Sequence, residues 1–247
     1  MNSNPYLTSI VTASVAFAAA VVAQIISHWL TKKRENIKYN KEVYQKLYAP
    51  ILFELYVYLD VKTAYTRVHD IKPGIEVSVI KENILKHINV NLMYGTPQII
   101  SAFHNVKYYD YHEDLCVGNL QSIAEIELFW CMLDQLYRLN EKTKLFDPIN
   151  KNTLVKYKFH YILWAIISKL RGEDAYYILT YKHNLHFDKS IGELYKSLNK
   201  DFTRFRLGHQ DKQFLRRSLE KTIIKLTNGS GEFSPHGKTY LERSKNT

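Results

Sequence analysis

The sequence predicts an all-α protein, with a single N-terminal transmembrane helix followed by a cytoplasmic multi-helix bundle. Three observations carry that expectation. Residues 7–30, LTSIVTASVAFAAAVVAQIISHWL, contain no charged side chain, and a helix of this length extends about 36 Å, more than the roughly 30 Å of a hydrocarbon core. Downstream, apolar residues recur at three- and four-residue intervals, which is the repeat of a helix face. Turn signals such as Lys72-Pro73-Gly74, Gly95-Thr96-Pro97 and Asp147-Pro148 separate these periodic stretches. The expected division is a short extracytoplasmic tail over 1–6, the span over 7–30 and a juxtamembrane helical stalk over 31–70 that packs into the domain. The cytoplasmic helical domain follows over 71–227, then a flexible tail over 228–247.

The span is Ala-rich and carries Thr8, Ser9, Thr12, Ser14, Gln24, Ser27 and His28, so its insertion is favourable without being strong. A secretory signal would need a basic start, and residues 1–9 hold no Lys or Arg. A helix lying flat in the interface would need a charged face, which this stretch lacks. Lys32, Lys33, Arg34, Lys38 and Lys41 follow directly. The positive-inside rule therefore predicts a single-pass cell-membrane protein with its N-terminus outside and about 215 residues in the cytoplasm. His28, Trp29, Lys32, Lys33 and Arg34 are expected at the inner membrane interface, where an amphipathic ring and cations are at home. Ser9, Ala13, Ala16, Ala20, Ala23 and Ser27 recur at alternating four- and three-residue steps. Such a small-residue seam lets helix backbones approach closely in lipid, so a homo-oligomer or a protein partner is expected along it.

The remaining chain has the material for a packed core. The whole is 46% hydrophobic and 13% aromatic, with 19 Tyr, which argues against disorder; Tyr serves core edges and binding surfaces alike. Cys116 and Cys131, in a reducing compartment, are expected to be free and buried. The net charge of +10 is unevenly spread: residues 71–188 are balanced, whereas 31–70 and 189–247 are basic. Anionic inner-leaflet lipid accounts for the first basic stretch. For the second, lipid, nucleic acid or plain solvated surface are all open.

Through the stalk, Ile37, Tyr44, Tyr48, Ile51, Leu55 and Tyr58 form one apolar stripe, and Pro50 kinks or restarts the helix because it lacks an amide donor and crowds the preceding turn. Lys72-Pro73-Gly74 is a turn. A helix follows from Ser78 with Ile80, Ile84, Ile88 and Leu92 inward, Gly95 is expected as its C′ residue, and Thr96 and Pro97 cap and open the next helix. That helix points Ile99, Ile100, Phe103 and Val106 inward and ends at the polar cluster from Tyr108 to Asp114. The clearest amphipathic helix runs from Asn119 or Ser122 to about Glu141, with Ile123, Ile126, Trp130, Leu133 and Tyr137 inward and Glu125, Asp134 and Arg138 more exposed. After Asp147-Pro148, Thr153 is expected to cap LVKYKFHYILWAIISKL. Its Lys156, Lys158, His160 and Lys169 point to a central core helix over a second crossing. Gly172 ends it, and AYYILTY follows as a helix or short strand. Ser190 caps a helix with Ile191, Leu194, Leu198 and Phe202 inward. The last helix, over 211–227, turns Leu215, Leu219, Ile223 and Leu226 inward and Lys212, Arg216, Arg217, Lys221 and Lys225 outward.

Motifs for chemistry are sparse. No glycine-rich phosphate loop, nucleophile elbow, paired CxxC or HExxH occurs in the sequence. His112, Glu113, Asp114 and Cys116 are potential ligands without a second half nearby, and His183 with His186 falls in a stretch that reads as a loop, so no metal and no cofactor are expected. The segment from Arg204 to His209, RFRLGH, resembles the Arg-x4-His pattern of the helical HEPN ribonucleases. That resemblance implies an all-α fold in which Arg204 and His209 would cut RNA. It covers six residues, and Phe205 stands where the family places a polar side chain. Nine Arg and ten His in the chain produce about one such pair by accident.

The functional expectation is therefore an interaction or sensing protein held at the inner membrane surface rather than an enzyme. Small anchored helical proteins of this architecture are often carried by mobile elements for exclusion or defence, an analogy of architecture alone. The alternative is a membrane-docked nucleic-acid binder or HEPN-like ribonuclease. Lys212, Arg216, Arg217, Lys221 and Lys225 would there meet nucleic acid or, in a third reading, anionic lipid.

Overall fold

The computed structural model describes residues 5–63, 74–111, 117–171 and 191–226, and among them every regular element is helical. The chain divides into two compact units, residues 1–43 and 44–247. The first consists of one helix, α1 (Pro5–Val43). No Gly or Pro interrupts the sequence between Tyr6 and Ala49, and Pro5 stands at the helix start, where a missing amide hydrogen costs nothing. The uncharged stretch and the beginning of the stalk are thus one continuous helix. Among the described residues it is the one helix long and apolar enough to cross a membrane.

The second unit begins with a π-helical turn, Tyr44–Tyr48, closed by Ala49 N donating to Tyr44 O at 2.8 Å. Pro50 breaks the ladder as its chemistry requires, and α2 (Leu52–Lys62) restarts beyond it. Tyr48, Ile51, Leu55 and Tyr58 are buried as the stripe predicts, but Ile37 is exposed and Leu47 and Leu59 are fully buried in addition.

Gly74 adopts a φ of 88°, the left-handed conformation that glycine tolerates best. In α3 (Val77–Val90), Ile84 and Ile88 are fully buried. Gly95 is not the C′ residue of this helix. A 3-10 turn, Leu92–Tyr94, intervenes, and Gly95 has an ordinary φ of −73°. Its role is close approach, since a Cβ there would stand 2.9 Å from the Leu92 carbonyl oxygen. Thr96 caps α4 (Pro97–Tyr109), its Oγ1 accepting from Ile99 N at 3.4 Å.

Two long helices, α5 (Val117–Thr143) and α6 (Pro148–Arg171), pack along each other as the centre of the unit. Every residue from Phe159 to Ile167 is buried, so α6 is the core helix that its interspersed charges suggest. Two expectations fail here. Asp147 caps α6, six residues before Thr153: its Oδ1 accepts from Ile149 N at 2.8 Å and Asn150 N at 3.0 Å. Thr153 lies inside the helix and its Oγ1 donates to Ile149 O. In α5, Glu125 and Asp134 are buried instead of exposed. Neighbours surround this helix, so its polar side chains meet partners from other elements rather than water.

Aromatic rings fill the interior between these helices and α2. Phe129 meets Tyr58 and Tyr161 edge-on, with centroids 5.3 and 6.2 Å apart, and Trp164 stacks near Tyr58. The Tyr161 hydroxyl donates to Leu55 O at 2.6 Å, satisfying the polar tip of a fully buried ring.

An antiparallel pair closes the unit. α7 (Ile191–Arg206) and α8 (Lys212–Leu226) bury the predicted Leu194, Leu198, Phe202, Leu215, Leu219, Ile223 and Leu226. Lys72, Pro73, the ligand cluster His112 to Cys116, AYYILTY, His183, His186, Ser190 and the tail from 228 lie outside the described residues.

Candidate functional site

The most developed polar constellation is one that sequence reasoning did not assemble. It fastens α7 to the α5–α6 pair. Asp134, 5% exposed, is its hub. Tyr195 of α7 donates its hydroxyl to Asp134 Oδ1 at 2.7 Å and accepts from Trp130 Nε1 at 3.1 Å. Arg138 Nε donates to Asp134 Oδ2 at 2.9 Å. Lys158 of α6 brings its ammonium 3.5 Å from Asp134 Oδ1. The same nitrogen lies 3.6 Å from the ring centroid of Tyr137 and 3.8 Å from that of Tyr195, so two π faces share the solvation of a buried cation.

Burial sets the electrostatics of the layer. Desolvation pulls the Lys158 ammonium down to about 8, and Asp134 opposes that pull. Tyr195 is pushed well above the usual phenol range by burial and then by the Asp134 charge. Two turns earlier in α5, Glu127 receives Lys169 at 2.6 Å and Arg206 at 3.3 Å, and Arg206 also covers Trp130. All these partners are engaged with one another, and the layer's physical effect is to fix α7 in register. The signal in the sequence was charge embedded in apolar runs, Lys158 and His160 in α6 and Glu125, Glu127 and Asp134 in α5; pairing them needed coordinates.

Arg204 and His209 are joined through the backbone at the end of α7. Gly208 takes a φ of 74°, His209 N donates to Arg204 O and Gly208 N donates to Phe205 O, both at 3.0 Å. These bonds form a Schellman motif, with Gly208 as C′ and His209 as C″. The five-residue offset between Arg204 and His209 is the offset of that helix stop, and both side chains are exposed.

On α8, Lys212, Arg217, Lys221 and Lys225 are exposed and Arg216 is half-buried. Arg217, Lys221 and Lys225 stand one turn apart along one edge of a groove of about 700 Å³ between α7 and α8. Glu193 and Asp201 line the groove as well, so its charge is mixed.

In α1, Ser9, Ala16, Ala20, Ala23 and Ser27 are exposed, as are Lys32, Lys33, Arg34 and Trp29. Lys33 Nζ lies 5.4 Å from the Trp29 ring centroid. Cys131 is free and buried, its thiol pushed up to about 12 by desolvation. Among the described residues no group of three or more His, Cys, Asp or Glu side chains could hold a metal ion. Set against protein-family models, curated proteins and solved structures, the chain matches none of them.

Proposed function

We propose that this is a single-pass membrane protein whose N-terminus lies outside and whose helical domain works in the cytoplasm, by interaction with a protein or by sensing at the inner membrane surface. One observation carries the reading: residues 14–30 of α1 stand exposed, with Phe17 at 74% and Trp29 at 59%. Water is a poor solvent for such a helix and lipid a good one. The Lys33–Trp29 pair suits an interface, where a ring sits at headgroup level and a cation meets phosphate. Exclusion or defence on behalf of a mobile element remains an analogy of architecture. In cells, the full chain is expected in the membrane fraction, resistant to alkaline carbonate and released by detergent. Recovery in the carbonate supernatant would remove the anchor and the location with it.

A second reading is favoured by the exposed row on α8, which offers cations at regular spacing to a polyanion. For that reading, the detergent-solubilised chain should retard RNA or DNA in a salt-dependent manner, and Arg216→Ala with Arg217→Ala should abolish the shift. No retardation at low salt ends it. Cleavage lost in His209→Ala would separate a ribonuclease from a binder.

A further inference from the structure

We propose that the end of the second unit at which the chain enters is a lipid-docking face: Val90, Met93 and Ile149 settle among the headgroups of the bilayer that α1 crosses, and Lys46, Lys142 and Lys144 meet their phosphates. This rests on the anchor reading above. Tyr44 is the first residue of the unit, and two connections gather around it. The α3–α4 connection is held there because Leu92–Tyr94 packs beside Tyr44–Tyr48 and His87 Nε2 lies 3.0 Å from Lys46 O. The α5–α6 connection is held because Phe146 sets its ring edge-on to Tyr44 at 5.6 Å, with its amide donating to Asn140 Oδ1 at 2.8 Å.

Apolar side chains point outward at both connections: Val90 at the end of α3 is 72% exposed, Met93 in the 3-10 turn 80% and Ile149 at the start of α6 78%, where solvated polar residues are the norm. Lys46, Lys142 and Lys144 are exposed on neighbouring elements, and of the acids exposed at the α5–α6 connection Glu141 is paired with Lys151 and Asp147 caps α6. Apolar tips with lysines beside them are complementary to an anionic interface, which takes hydrocarbon below and ammonium groups at phosphate level. Nucleic acid would reward the lysines and leave the three apolar tips unexplained. Residues 31–43 measure about 20 Å as a helix, and along the chain Tyr44 is the residue of this unit tied nearest to the uncharged span.

A position away from this face supplies an internal control. Arg206 meets Glu127, which lies about 24 Å of helix from the Thr143 end of α5, and Leu207 beside it is also exposed. The test uses the full chain in a Cys116→Ser background, reconstituted in vesicles of phosphatidylcholine with phosphatidylglycerol or of phosphatidylcholine alone. A bimane label is placed through Met93→Cys, Ile149→Cys or Leu207→Cys, and quenching by headgroup-labelled lipid is read. Quenching at 93 and 149 several-fold above that at 207, weaker in the neutral vesicles, is the expected result. Quenching at 93 and 149 no greater than at 207, in protein that floats with the vesicles, overturns the docking face while the anchor stands. Protein that does not float removes the anchor, and this inference with it. Disulfide crosslinks through Met93→Cys in place of quenching would assign the surface to a second copy of the chain and overturn the lipid assignment.

Discussion

Replacing Asp134 with alanine is expected to cost about 3–5 kcal/mol of stability, the range for stranding a buried charge. For a unit of this size that lowers the thermal midpoint by about 10 °C. Asp134 holds Tyr195 at 2.7 Å, Arg138 at 2.9 Å and Lys158 at 3.5 Å. Without it Arg138 still reaches water, but Lys158, 2% exposed, keeps only two aromatic faces. The companion variant separates charge from packing. Lys158→Met fills similar volume with no cation and leaves the Asp134 carboxylate its hydrogen bonds from Arg138 and Tyr195, so it should be tolerated better than Asp134→Ala. Combining the two should recover part of the loss. Circular dichroism of the full chain in detergent reads all three, and equal losses in the single variants would contradict the hub role of Asp134.

The same lysine gives a pH dependence of definite sign. In the folded chain Lys158 titrates at about 8, below its ordinary 10.5, because burial disfavours the charged form. Between those values the unfolded chain binds more protons than the folded one, so stability from this site rises with pH. Below about 8 the cost of the buried cation is fully present. Asp134, Arg138 and Glu141 are the charged groups acting on it, with the Tyr137 and Tyr195 rings in contact. The wild-type midpoint minus that of Lys158→Met is therefore expected to increase from pH 7.5 to pH 9.5, a window bracketing the shifted value.

Phe129→Ala is expected to be comparably damaging, at about 3–5 kcal/mol, through a different cause. Phe129 is fully buried on α5 and joins Tyr58 of α2 to Tyr161 of α6 edge-on. Deleting the ring removes burial from three elements and leaves a cavity that rigid aromatic neighbours collapse into poorly. Phe53→Ala is the matched control: its ring is 73% exposed, and the change should stay within about 0.5 kcal/mol. If the two variants unfold alike, the aromatic cluster is not the centre of the fold.

Much of this protein was legible from its sequence because the deciding physics is local. Helix periodicity, the break at Pro50, the Thr96-Pro97 start and the inward leucines of α7 and α8 each depend on residues within a turn or two of one another. The uncharged run over 7–30 is legible for the same reason. Tertiary structure decided what long-range contact alone can decide. Glu125 and Asp134 fit the polar side of an amphipathic helix, and only the arrival of Lys81, Lys158 and Tyr195 from distant parts of the chain makes their burial affordable. Arg204 and His209 share a spacing with a ribonuclease pattern in the sequence, and the fold adds that the same five-residue offset is that of a helix stop at Gly208. The apolar tips Val90 and Met93 lie at one connection and Ile149 at another, and their gathering at Tyr44 follows from the packing of helices that sequence order does not specify. A local pattern states which face of a helix is apolar; what covers that face is fixed by which elements meet, and that is a property of the folded chain.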